Sequence, residues 1–186
     1  KYVQFIPCLD EMNATSRSSY ALTPERFASF YQTYFRLWFD QLQKGSYQSV
    51  KLFDDVINQF VHGRRTACGL DGQCQVQYVI EADGSVYPCD FFAVDQYRLG
   101  YIQDKTLREL FSQPNTLNFL QMERKLPIYC ENCPFKLYCC GGCRRMKDAM
   151  YVNHEGSFCG YQQLLSVLLQ EKETILKEIS SAHFVN

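Results

Sequence analysis

The sequence has ten cysteines among 186 residues. Cys68-x5-Cys74-x14-Cys89 makes one group. Cys130-x2-Cys133-x5-Cys139-x3-Cys143-x15-Cys159 makes a second, with Cys8 and Cys140 left over. Thiolates bind soft metals, and four of them suit either tetrahedral zinc or an iron–sulfur cube. A lone Cys-x2-Cys is weak evidence. Five cysteines in the fourteen residues from Cys130 to Cys143 argue for a metal, without choosing zinc or iron. Using Cys140 instead of Cys139 gives Cys-x2-Cys-x6-Cys-x2-Cys, which a zinc ribbon also tolerates. Eight cysteines make two complete four-thiolate sites. A chain that must deprotonate eight thiols is expected to fold poorly without metal.

The other common use of so many cysteines is a disulfide scaffold in a secreted chain. The start, Lys1 to Pro7, reads as a strand and lacks a small-residue cleavage site, so metal ligation is the preferred reading. The sequence opens on Lys rather than Met and reads as a fragment of a longer chain. A net charge of -1 gives no basic face for nucleic acid. No apolar run is long enough to span a bilayer. Hydrophobic residues make up 46%, enough for a real core.

The elements that must position the cysteines are legible in outline. Residues 1–64 hold a single cysteine and read as one βα unit plus a linker helix. Tyr2–Ile6 is a short strand stopped by Pro7. Glu11–Tyr20 is a polar loop. Thr23-Pro24-Glu25 starts a helix, with Thr as N-cap and Pro at the first helical position. Phe27, Phe30, Tyr31, Tyr34, Phe35, Trp38 and Leu42 give it one wide apolar face, and Gly45 stops it. Asp54–Phe60 is a short helix. One βα unit cannot close a sheet alone, so this part docks on the rest or ends a larger barrel. Residues 65–186 carry the cysteines. Val76–Ile80 and Val86-Tyr87 form a hairpin around Asp83-Gly84. Leu107–Phe111 and Leu117–Leu126 are short helices, Pro127 ending the second. Leu164–Ile179 is a final amphipathic helix. The fold class is therefore α+β.

Cys68-x15-Gly84-x4-Cys89, then Cys130-x2-Cys133-x5-Cys139-x3-Cys143, then Cys159 resembles the SPASM signature. That domain is the C-terminal extension of radical S-adenosylmethionine enzymes that modify peptides and proteins. Cys74, the run Val86–Phe92 and Cys140-Gly-Gly-Cys-Arg-Arg145 resemble more narrowly the anaerobic sulfatase-maturating enzymes. The resemblance covers roughly residues 65–160 with specific motifs. Residues 1–60 fit loosely, as the last strand and helix of a partial (β/α) barrel.

The resemblance implies two auxiliary [4Fe–4S] clusters with all-cysteine ligation. Carried over by position, Cys68, Cys74, Cys89 and Cys143 hold the first. Cys130, Cys133, Cys139 and Cys159 hold the second. Asp90 takes the family's position for the general base that removes a substrate proton; the plainer reading is an Asp that caps the Phe91 turn. The implied activity is oxidation of an active-site Cys or Ser of a sulfatase to Cα-formylglycine. The implied partners are an unfolded sulfatase polypeptide in the cytoplasm and an electron carrier such as flavodoxin or ferredoxin, with no nucleic acid and no membrane. S-adenosylmethionine and a third [4Fe–4S] cluster belong to a domain not present here, because no Cys-x3-Cys-x2-Cys occurs. This fragment alone is then inactive.

Two alternatives keep part of this picture. One is the SPASM domain of a different peptide-modifying enzyme. The other is a zinc-stabilised interaction module without chemistry, and zinc could also enter an iron site in an aerobic preparation. Among the remaining residues, Cys140 reads as a buried thiol outside the ligand set and Cys8 as a small buried hydrophobe. His62, His154 and His183 are scattered, His154 in a surface loop. Arg144 and Arg145 read either as contacts to an anionic group or to a cluster's negative charge, or as a solvated pair.

Overall fold

The computed structural model describes residues 2–12, 14–123, 125–181 and 183–184, the last two as backbone. Lys1, Asn13, Arg124 and the chain end at Asn186, which fall in segments or domains assigned above, lie outside the described residues. In chain order the elements are β1 (Tyr2–Val3), α1 (Pro24–Gln43), β2 (Ser46–Tyr47), β3 (Ser49–Val50) and α2 (Lys51–His62). Then come β4 (Val79–Ile80), β5 (Ser85–Tyr87), β6 (Gly100–Tyr101), α3 (Leu107–Phe111) and α4 (Pro114–Gln121). The last are α5 (Ile128–Glu131), α6 (Lys136–Cys139), α7 (Arg144–Met146), α8 (Gly160–Gln170), α9 (Lys172–Ser181) and β7 (His183–Phe184). A π turn, Lys147–Tyr151, follows α7. β1 pairs with β3 and β2 with β7, both in parallel, while β4-β5-β6 is an antiparallel sheet. The result is a mixed helical fold with small sheets.

α1 is the spine. The Thr23 side chain accepts from the Arg26 N–H, and Pro24 follows at the first helical position. Its apolar spacing buries Phe27, Tyr31, Phe35, Trp38 and Leu42. Phe30 and Tyr34, expected on the same buried face, flank it and meet Phe5 edge-on at 5.0 and 4.9 Å. Against α1 pack Phe53 and Val56 of α2, and Tyr161, Leu164, Leu165 and Leu168 of α8. Each such side chain contributes about 1.5–3 kcal/mol on burial. Phe27→Ala would cost about 3–5 kcal/mol, since its ring also meets Tyr31, Tyr151 and Tyr161.

Several expected boundaries move. The short helix at 54–60 is longer, starting at Lys51 and ending on Gly63 at φ 62°. The expected strand 76–80 is reduced to Val79–Ile80, because Tyr78 takes a left-handed φ of 49° that breaks the ladder. The Asp83-Gly84 turn forms as expected; the Asp83 carboxylate accepts from Ser85 N at 2.9 Å and from Ser85 Oγ at 2.6 Å. β6 was not anticipated, being two residues with no alternating pattern. The 117–126 helix instead runs from Pro114 to Gln121, and Pro127 caps the next one. The final helix starts at Gly160, capped by Cys159, and is interrupted at Glu171. Among the described residues no helix is long and apolar enough to cross a membrane.

Candidate metal centre

No disulfide joins any of the ten cysteines. Eight of them fall into two sets, each drawn from distant parts of the chain.

The first set joins the 68–89 region to Cys143. Cys68 Sγ donates to Gln73 O at 3.9 Å, so the Cys68–Cys74 loop closes on itself. Gly69, at φ 76°, lies so close to Cys143 that a Cβ built there would stand 2.8 Å from the Cys143 Cβ. Only glycine permits that approach. Cys143 is thereby held beside the Cys68–Cys74 loop, and ionised Cys74 or Cys68 would oppose its ionisation. Burial pushes the Cys143 thiol up, while the backbone N–H groups of Met146 and Arg145 work the other way. Cys89 follows β5. Burial pushes its thiol up to about 12, helped by the Asp90 carboxylate and, more weakly, by Cys143.

The second set joins α5 and α6 to the start of α8. Pro127 starts the tight turn in which Cys133 N donates to Cys130 O at 3.3 Å. Cys159 sits at the N-cap of α8, where its Sγ accepts from Gln162 N at 3.4 Å. Burial raises Cys130, raises Cys139 and pushes Cys159 up to about 11; Cys133 opposes the ionisation of all three, and Cys130 that of Cys139 and Cys159. Cys140 stands apart. It takes φ 43° and turns its Sγ back to Lys136 O at 3.1 Å. Cys139, not Cys140, therefore shares the field of the second set.

Gly141 and Gly142, both at positive φ, lead from one set to the other. A Cβ on Gly142 would come within 3.1 Å of the Tyr151 ring. Tyr151 stacks on Tyr161 at 4.6 Å, and both Cys139 and Cys143 lie within its electrostatic reach. This buried tyrosine pair between the sets was missed, since nothing local marks those residues.

Asp90 is exposed beside Cys89 and opens a short 3-10 turn at Asp90–Phe92. Its carboxylate accepts from Phe91 N at 3.0 Å and from Cys89 Sγ at 3.1 Å. Arg144 and Arg145 are not a solvated pair. Arg144 donates to Phe119 O and Met122 O, both at 3.1 Å, and Arg145 donates to Asp10 O. Cys8 is exposed rather than buried, because β1 ends at Val3 and leaves it in a loop. His154 lies exposed in a loop as expected.

Zinc requires four ligands at about 2–2.3 Å from one point. Among the described residues no group of three or more His, Cys, Asp or Glu closes to single-ion spacing. Thiolates on a four-iron cube sit on separate irons and stand wider apart. The donor chemistry of the two groups, thiols from both with no other ligand type, suits such a cube.

Residues 68–134 match the SPASM family, an iron–sulfur cluster-binding domain. Over 86% of its length the chain is 38% identical to the cysteine-type anaerobic sulfatase-maturating enzyme of Clostridium novyi (strain NT), covering 43% of that protein. It is 27% identical to the serine-type enzyme of Bacteroides thetaiotaomicron, over 96% of this chain and 47% of that one. The chain thus spans less than half the length of these relatives. It is also similar to the structure of native anSMEcpe with bound AdoMet, with a TM-score of 0.80 at 31% identity over 95% of this chain and 50% of that one. The same match holds for native anSMEcpe with bound AdoMet and Cp18Cys peptide, again at a TM-score of 0.80. The SPASM match ends before Cys139, Cys143 and Cys159, so those three rest on the geometry above.

Proposed function

We propose that this chain is the C-terminal part of a radical S-adenosylmethionine enzyme that oxidises a sulfatase side chain to Cα-formylglycine. The observation that carries the reading is the pairing of distant thiols, above all Cys143 against the Cys68–Cys74 loop, in a chain 38% identical to a sulfatase-maturating enzyme. Cys68, Cys74, Cys89 and Cys143 would hold one [4Fe–4S] cluster. Cys130, Cys133, Cys139 and Cys159 would hold a second. When bound, such clusters supply one-electron redox chemistry, and full cysteine ligation leaves no iron open to substrate. Residues 1–64 would be the end of a partial barrel, contributing the parallel pair β1–β3, and residues 65–186 the cluster domain. The radical-forming cluster and S-adenosylmethionine would belong to the rest of the protein, and this piece alone would be inactive.

The residues here have definite tasks in that reading. Asp90, exposed beside Cys89, receives a proton from the substrate side chain. The substrate is an unfolded sulfatase segment in the cytoplasm. The higher identity to cysteine-type relatives, 38% against 27%, supports a cysteine target. A flavodoxin- or ferredoxin-like carrier is the expected electron partner.

The test uses the full-length protein, purified anaerobically, with a sulfatase-derived cysteine peptide. Formylglycine should appear in the peptide with 5′-deoxyadenosine. Asp90→Asn should lower formylglycine at least 100-fold while S-adenosylmethionine cleavage persists, the order expected for a lost general base, about 10²–10⁴. Full product formation by Asp90→Asn removes the base role. A cross-linked peptide without formylglycine moves the chain to another peptide-modifying class.

A further inference from the structure

Arg144 follows Cys143 and opens α7. Its two outer nitrogens are committed to the C-terminal end of α4, on Phe119 O and Met122 O. Those carbonyls need donors, as at any helix end. The guanidinium lies 5.6 Å over the Phe119 ring and cannot turn away without losing both bonds. Its third donor, Nε–H, points from the flank of the fork. Nε is the one buried side-chain nitrogen or oxygen among the described residues that has no partner. A buried donor of this kind is rare and calls for an acceptor.

The surroundings indicate what that acceptor is. Cys143 is the preceding residue. Phe119 packs at 5.2 Å on Phe92, in the turn that follows Cys89. Gly72, on the loop between Cys68 and Cys74, shares with Arg144 the wall of a cavity of about 300 Å³. Arg144 thus adjoins Cys143 in sequence and shares a cavity wall with the Cys68–Cys74 loop. Buried Lys147 on the same wall is used: it donates to Lys125 O at 2.6 Å and pairs with Asp148 at 3.3 Å. Cysteine sulfurs and inorganic sulfides accept N–H hydrogen bonds, which stabilise the more negative, reduced state of a cluster.

We infer that Arg144 donates from Nε to the sulfur of the group held by Cys68, Cys74, Cys89 and Cys143, and so raises its reduction potential. This rests on the two-cluster reading above. Arg144 acts as a positioning and tuning residue and touches no substrate.

The experiment takes the full-length protein with reconstituted clusters, labelled with [15N]arginine and reduced. Pulsed EPR should show a 15N coupling to one cluster in the parent protein. That coupling should vanish in Arg144→Lys, which keeps the charge but lacks Nε, and in Arg144→Gln. The potential of one cluster should fall in both variants while iron content stays constant. Phe119→Leu loosens the same packing but keeps Nε, so its coupling should persist. No arginine coupling in the parent, a coupling that survives in Arg144→Lys, or a potential moved as far by Phe119→Leu would each overturn the inference. If no iron is bound through these cysteines in the parent, the two-cluster reading fails first and this one falls with it.

Discussion

Cys139 and Cys140 are neighbours with opposite fates. Cys139 is half-buried near Cys130, Cys133 and Cys159, whereas the Cys140 thiol is spent on Lys136 O. In the full-length protein, Cys139→Ala should therefore lose about four irons, one cube, and Cys140→Ala none. Iron and sulfide analysis after anaerobic reconstitution checks both. The spacing left this register open, since either cysteine completes a plausible motif. The left-handed φ at Cys140 turns its thiol to Lys136 O and so favours Cys139, and no local signal announces that. The arginines show the same limit. Adjacent charges are visible at once, but the use of Arg144 depends on where α4 ends, 22 or more residues away in sequence, and that of Arg145 on Asp10 O. Gly69 is similar: a glycine in a loop is unremarkable until Cys143 is found against it.

Elements whose signals are local were legible. α1 declares itself through Thr23, Pro24 and the spacing of Phe27, Tyr31, Phe35 and Trp38, and α3 forms at Leu107–Phe111 as expected, where the structure adds a Thr106 capping box with Glu109. The Asp83-Gly84 turn is equally local. Elements set by tertiary contact were not: β6 exists because Val86 and Ser85 offer an edge, and α8 starts at Gly160 because Cys159 caps it. That start is also a packing constraint. A Cβ on Gly160 would strike Pro24 O at the first turn of α1. Gly160→Ala should cost about 1–3 kcal/mol by forcing the two helices apart. It should also lower iron retained through Cys159. Thermal unfolding and iron analysis of the loaded protein report the two effects separately. Unchanged values in both would show that α1 and α8 do not fix the second set.

The whole molecule ties an aromatic helical core to two thiol sets, and its dependence on pH should reveal whether those thiols are occupied. In the metal-free protein, burial pushes Cys89 up from 9.0 to about 12 and Cys159 from 9.0 to about 11. Between pH 9 and 12 the folded chain then holds more protons than the unfolded one. Stability is therefore present below pH 9 and falls as pH rises through that window. Thermal melts of chelator-stripped protein should show the decline. The loaded protein, whose thiolates have already released their protons to bind, should lack it.

The central claim is that Cys143 crosses the sequence to join Cys68, Cys74 and Cys89. Counting iron in paired substitutions of the full-length protein tests it most directly. Cys68→Ala with Cys143→Ala should lose about four irons, no more than either alone, because both serve one cube. Cys130→Ala with Cys143→Ala should lose about eight. The reverse pattern, or zinc in place of iron after strictly anaerobic preparation, would contradict the account.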